Sequence, residues 1–200
     1  MKKKNLHRTI PDPLTPEESA RLLSIPNKRY PTGLRNYAMM RLMLGSGLRC
    51  AEVLSLRLHD IDLTSGKMKI KGKGQKDRIL WLDVPMLELL ELWRDRRERK
   101  GVASELYFTT LKGEALDTRY VRAMMSRYKH RAGIIRKCSA HTLRHTFATE
   151  LLRQTGNIEI VRRALGHADI STTGIYLHAV DSELESAMKA LQDKFGENRQ

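Results

Sequence analysis

The sequence predicts a mainly α-helical domain with one small antiparallel β-sheet, an α+β fold. Three observations carry this expectation. Apolar residues recur at helical spacing along most of the chain, between recognisable start and stop signals. A single stretch, around residues 66–82, switches to the alternation of a β-hairpin. The 200 residues, 40% apolar and 30% charged, suit one domain with a sizeable core rather than two large ones.

Residues 1–13 read as a basic, irregular arm containing two prolines. Thr15-Pro16-Glu17-Glu18 is a capping box with proline at the first helical position, so a helix starts there. It carries Ala20, Leu22 and Leu23 and ends near Pro26. A second helix, about 32–44, is apolar nearly all round (Leu34, Tyr37, Met39, Met40, Leu42, Met43) and is therefore expected at the centre of the core. Gly45 and Gly47 stop it, and a short helix follows from Cys50 to Arg57. After Ser65-Gly66, Met68 and Ile70 alternate with lysines. Ile79-Leu80-Trp81-Leu82 then follows a turn of Gly, Lys, Gln and Asp, which completes the hairpin. Trp81 and Trp93 are expected in the core. Helices resume at about 84–99, 117–132, 142–155, 157–165 and 171–178, with Gly101, Gly133, Gly156 and Gly166 among the stop signals. A last helix, about 182–195, sets Leu184, Met188, Leu191 and Phe195 on one stripe. The expected organisation is an arm (1–13), a folded domain (14–180) and a C-terminal helix and tail (181–200).

Charge points to a partner. Lys and Arg number 37 against 23 Asp and Glu, a net charge of +14, which favours a polyanion. The excess is uneven: residues 67–78 hold six Lys or Arg and only Asp77 in opposition, and residues 119–137 hold seven with no acid. Residues 181–200 reverse the sign, with five acids against three bases. One basic run alone is most simply a solvated face. Two separated runs favour nucleic acid, and neither has the large apolar face of a membrane-surface helix. No apolar stretch approaches the roughly 20 residues of a membrane span, and none follows the initial Met-Lys-Lys-Lys, so a cytoplasmic, nucleoid-associated protein is expected. Cys50 and Cys138, far apart in such a chain, are expected as thiols.

The residues that can carry chemistry cluster late in the chain. His141-Thr-Leu-Arg144 places an imidazole and a guanidinium three residues apart at a helix start, where phosphate is already favoured. Gly166-His167 follows, and Tyr176 comes nine residues later. Upstream, Gly47-Leu-Arg49-Cys-Ala-Glu52 opens a helix, and Lys73 sits in the hairpin turn. Each piece alone has a plainer explanation: an ion-pair arginine, a half-buried core tyrosine, a surface His-x-x-Arg pair. Together and in order they resemble the catalytic domain of the tyrosine recombinases, the family of lambda-type integrases, Xer-type recombinases and integron integrases. The similarity runs from about Leu14 to Tyr176.

The resemblance implies the fold of that domain, shared with type IB topoisomerases, and DNA strand cleavage and rejoining without metal or cofactor. It implies catalytic roles for Arg49, Lys73, His141, Arg144, His167 and Tyr176. Arg49 and Arg144 would stabilise the phosphate charge, His141 would take the proton of Tyr176, and Lys73 would protonate the leaving oxygen. His167 would hydrogen-bond the phosphate, Glu52 would orient or neutralise an arginine, and His145 would support the site. Lys69, Lys71 and Lys76 compete with Lys73 for the acid. Lys71, Lys76, Arg78, Arg119, Arg122, Lys129 and Arg131 are the expected DNA contacts. The expected assembly is a homo-oligomer, a tetramer on DNA and a monomer when free. The helix matching the start of the catalytic domain begins near residue 15, so a chain lacking the family's usual N-terminal DNA-binding domain is expected. The competing readings are relaxation of supercoils as in type IB topoisomerases, and a non-catalytic DNA-binding module of the same fold.

Overall fold

The computed structural model describes residues 12–72, 77–167, 173–176 and 188. Helix α1 (Pro16–Ser24) opens on the expected capping box: Thr15 Oγ1 accepts from the Glu18 amide at 3.2 Å, and the Glu18 carboxylate accepts from the Thr15 amide at 3.0 Å. Helix α2 (Pro31–Ser46) is buried on nearly every side, as its apolar sequence requires. It packs against α4 (Val84–Glu98) and α6 (Ala140–Thr155) and forms the centre of the main core. Trp93 of α4 is fully buried there, its indole N–H donating to the Tyr107 carbonyl at 3.0 Å.

Helix α3 (Cys50–Ser55) ends two residues before the expected stop. The Arg57 amide donates to Asp60 at 2.8 Å and the Leu58 amide to the Glu105 carbonyl at 2.9 Å, so this segment leaves the helix for a 3₁₀ turn, Leu58–Asp60. Strand β1 (Ile61–Asp62), absent from the sequence reading, follows and pairs with β2 (Lys67–Ile70), which pairs with β3 (Arg78–Trp81). All pairings are antiparallel, in the order β1-β2-β3.

Trp81 is a correction: it is 71% exposed. The run Ile79–Leu82 is apolar throughout, so its own pattern cannot choose a face. The register decides. Met68 pairs with Leu80 on the buried face, which sets Trp81 beside Lys67 and Ile79 beside Lys69 on the outer one.

Helices α5 (Thr118–Arg131) and α7 (Ile158–Leu165) lie before and after α6, and a 3₁₀ turn follows at Gly174–Tyr176. The caps are those expected from sequence, with Gly156 (φ +59°) and Gly166 (φ +64°) in the left-handed region. A second, smaller core of Ala148, Leu152, Val161, Leu165 and Tyr176 joins α6, α7 and this last turn. Residues around the turn, and the expected helix at 182–195 apart from helical Met188, lie outside the described residues. Cys50 and Cys138 are free thiols. The chain entrance is strapped down by Arg136, which donates to the Glu18 carboxylate and to the carbonyls of Asp12 and Pro13.

Candidate active site

The site forms where the ends of four elements meet. Gly47 makes the first turn possible. Its φ of +62° caps α2, and a Cβ there would meet the Phe147 ring at 2.3 Å. The chain can therefore reverse tightly and present Arg49 at the start of α3. Arg144 rises from the second turn of α6 into the gap. Its Nη1 donates to the Gly47 carbonyl at 2.6 Å and its Nη2 to the Leu165 carbonyl at 2.9 Å. Arg144 thus fastens three of the sequence segments together, at 3% exposure.

Glu52 is the acidic centre. Its Oε1 accepts from Arg49 Nη1 at 3.0 Å and from Arg78 Nη1 at 3.0 Å. Oε2 accepts from the Arg49 amide at 2.8 Å and from Arg78 Nη2 at 2.9 Å, and lies 3.8 Å from Arg144 Nη1. Burial pushes this carboxyl up, but the hydrogen bonds from Arg78 and Arg49 outweigh it and hold it below the ordinary value. Burial, reinforced by Arg49, brings Arg144 down to about 10.

His167 links the arginines to the tyrosine segment. Arg144 Nη2 lies 3.0 Å from His167 Nε2 and can only donate, so Nε2 accepts and the ring proton sits on Nδ1. Nδ1 then donates to Thr173 Oγ1 at 3.0 Å, and the Thr173 carbonyl accepts from the Tyr176 amide at 3.0 Å. Thr173 is fully buried and was not singled out in the sequence; one threonine in Ser171-Thr172-Thr173-Gly174 gives no signal of its own. Burial, then Arg144 and Arg49, depress the His167 imidazole to about 4. The unfolded chain takes up this proton near the ordinary value of about 6.5. Acidification between the two values therefore destabilises the native state. A nitrogen-resolved NMR titration of the free protein should show His167 neutral down to about 4. Titration at the ordinary value would refute the pairing with Arg144.

Tyr176 is 5% exposed and its ring packs against His145, centroids 5.0 Å apart. Burial pushes its phenol up, against the opposing pull of Arg144 and Arg49. His145 is itself buried and held below the ordinary imidazole value by that burial. His141, one turn before Arg144, stands exposed at the helix start, so the two residues share a face but not an environment.

The expected DNA contacts separate. Lys71, Arg119, Arg122 and Arg131 are exposed. Lys129 is half-buried, its ammonium donating to the carbonyls of Ile135 at 3.2 Å and Arg136 at 2.8 Å. Arg78 lies apart from these. Its side chain is 11% exposed and turned inward onto Glu52, with Nε donating to the Ala164 carbonyl at 2.9 Å. Lys73 and Lys76 lie outside the described residues.

Two arginines, a histidine and a tyrosine are thus gathered from four segments. The profile of the phage integrase family matches residues 13–183. The chain belongs to the phage integrase family. Among relatives, this chain is similar to the tyrosine recombinase XerC of Thermodesulfovibrio yellowstonii, 33% identical over 179 residues, covering 86% of this chain and 60% of the relative. It is also similar to XerD of Pseudomonas putida, 34% identical, covering 90% of this chain and 61% of the relative. A crystal structure of the XerH recombinase bound to a palindromic difH substrate, in a post-cleavage complex, superposes with a TM-score of 0.82 at 33% identity, covering 95% of this chain and 56% of that one. The chain thus spans about three fifths of the length of the relatives it matches.

Proposed function

We propose that this chain cuts and rejoins DNA at specific sites through a 3′-phosphotyrosyl bond to Tyr176. The observation that carries the reading is the arrangement of Arg49 and Arg144 around the His167–Thr173–Tyr176 chain of hydrogen bonds. Arg49, Arg78 and Arg144 set three guanidiniums against the single carboxylate of Glu52, leaving a net charge of about +2. A phosphodiester carries one negative charge and gains a second in the transition state, so the balance suits the charge that develops.

In the proposed step the Tyr176 oxygen attacks phosphorus, a P–O bond to tyrosine forms, and the bond to the 5′-oxygen breaks. The phenolic proton passes to His141, and Lys73 supplies a proton to the departing 5′-oxygen. Rejoining runs the same exchange backwards from a 5′-hydroxyl. When Arg144 turns to the phosphate, His167 Nε2 is freed, and the imidazole gives the phosphate one hydrogen bond once its proton moves from Nδ1 to Nε2.

Double-stranded DNA is the partner. Lys71, Arg119, Arg122 and Arg131 offer their charges to backbone phosphates, with Lys76 a candidate by sequence. Site-specific exchange calls for several copies on DNA; the proposed assembly is a tetramer on DNA from free monomers. The proposed organisation keeps 14–180 as the catalytic unit, with residues 181–200 passed between protomers and residues 1–13 as an arm. No helix among the described residues is long and apolar enough to cross a membrane. The proposed location is the cytoplasm, at the nucleoid.

The test is incubation of the chain with a pool of nicked suicide duplexes of randomised sequence. A covalent protein–DNA adduct that accumulates at low salt and declines steeply as salt rises is expected, because bound phosphates release counterions. No adduct across the pool would overturn the cleavage reading. A flat salt dependence would overturn the phosphate contacts.

A further inference from the structure

Arg78 belongs by sequence to the basic hairpin run, yet it does not face outward with Lys67, Lys69 and Lys71. Its guanidinium grips Glu52 with both terminal nitrogens, at 3.0 and 2.9 Å. The third nitrogen donates to Ala164 at the end of α7, three residues before His167. The same group lies against Gly166, where a Cβ would meet Arg78 Nη1 at 2.8 Å and Cζ at 3.2 Å. A side chain at that position would force the guanidinium away, and the backbone there is left-handed as well, at φ +64°. One planar fork therefore touches the segment carrying Arg49, the segment carrying His167, and its own strand.

Glu52 presents a difficulty that this contact resolves. Left alone with Arg49 and Arg144, the carboxylate would cancel one of the two charges meant for phosphate. Arg78 supplies a third guanidinium and occupies both carboxylate oxygens. Glu52 then keeps its role of holding the Arg49 side chain and amide, at 3.0 and 2.8 Å, without lowering the net charge of the cradle below that of Arg49 and Arg144 together. A lysine could supply the charge but not the fork, nor reach Ala164 at the same time.

We propose that Arg78 is a positioning residue for the cleavage reaction, compensating the Glu52 charge so that Arg49 is held in place while Arg49 and Arg144 retain their full charge for the phosphate. The proposal rests on the cleavage reading above, and it assigns Arg78 no contact with DNA.

The experiment measures adduct formation on a suicide duplex recovered from the randomised pool, for the parent chain, R78A, R78K, E52Q and the R78A/E52Q double variant. Thermal transitions are recorded for each, and rates are taken well below them. R78A should cleave about ten- to a hundredfold more slowly, the scale on which loss of a preorganised charge or a small misplacement acts. R78K should fall between, folding like the parent. The double variant removes one charge of each sign and keeps a Gln oxygen to accept from Arg49, so it should cleave faster than R78A by at least about fivefold. A second comparison uses DNA whose scissile phosphate is a methylphosphonate, which removes a non-bridging charge. There the deficit of R78A relative to the parent should shrink at least about threefold, whereas a purely structural defect would slow both backbones alike.

R78A as fast as the parent, or a double variant no faster than R78A, or an equal deficit on both backbones, overturns the proposal. If neither protein cleaves the methylphosphonate, the double variant decides by the same criterion. A parent chain that forms no adduct on phosphate DNA overturns the cleavage reading itself, and an active parent with any of the other outcomes overturns only the role of Arg78.

Discussion

Replacing Tyr176 with Phe abolishes the covalent adduct and leaves folding and DNA affinity nearly unchanged. The substitution removes one hydroxyl and no charge. The ring keeps its place among Ala148, Leu152, Val161 and Leu165 and against His145, because none of those contacts needs the oxygen. The Tyr176 amide still donates to Thr173, so the link to His167 survives. The loss of one hydrogen-bonding group in a packed site costs on the order of 1 kcal/mol, small beside the complete loss of the nucleophile. Denaturing electrophoresis of suicide-substrate reactions and a binding isotherm measured in parallel check both halves. A Phe variant that still becomes joined to DNA would mean that another residue is the nucleophile and that Tyr176 is only a core side chain. In the free protein burial raises the phenol, so activation has to come with the substrate or with the base that receives the proton.

Arg144→Ala is expected to slow cleavage by at least about a hundredfold, and Arg49→Ala by a similar factor, the usual scale for removing one transition-state donor. The structure separates the two in a second measurement. Arg49 has a side chain 43% exposed and bonded to Glu52, so its removal should shift the thermal transition little. Arg144 is 3% exposed and donates to Gly47, Leu165 and His167. Its removal leaves buried acceptors without donors, at about 1–3 kcal/mol each, and should lower the transition clearly. Cleavage rates on folded protein, together with calorimetry, test this contrast. A loss of tenfold or less for either variant would make that arginine a structural residue. Equal thermal shifts would contradict the different burial of the two.

Much of the fold was legible in local patterns. The Thr15–Glu18 capping box and the run of apolar residues in α2 act within a few residues of themselves, and the structure keeps them where the sequence sets them. Most of the catalytic candidates were legible as short segments in a fixed order. What those segments do to one another was not. Arg78 reads as one more lysine-like charge in a basic run until its strand is laid beside α3 and α7. Thr173 has no pattern at all, and its role exists only because His167 comes within reach of it. Trp81 was misplaced because an uninterrupted apolar run does not say which face is inward. The alternation on its neighbour, Lys67-Met68-Lys69-Ile70, would have settled the question once the register was known.

The sequence by itself determined most helix starts and stops, the hairpin, the central position of α2 and the order of the arginine, histidine and tyrosine segments. These follow from interactions between residues up to about four apart, whose geometry is set by the backbone alone. Tertiary structure alone decided that Arg144 closes onto Gly47, 97 residues away, and that Arg78 meets Glu52, 26 residues away. It also decided that Tyr176 is packed into the second core while His141 stays exposed. Such pairings depend on strand register, on which helix faces meet, and on a chain reversal at Gly47 that only a residue without a Cβ allows. None of these is a property of the local stretch in which either partner lies.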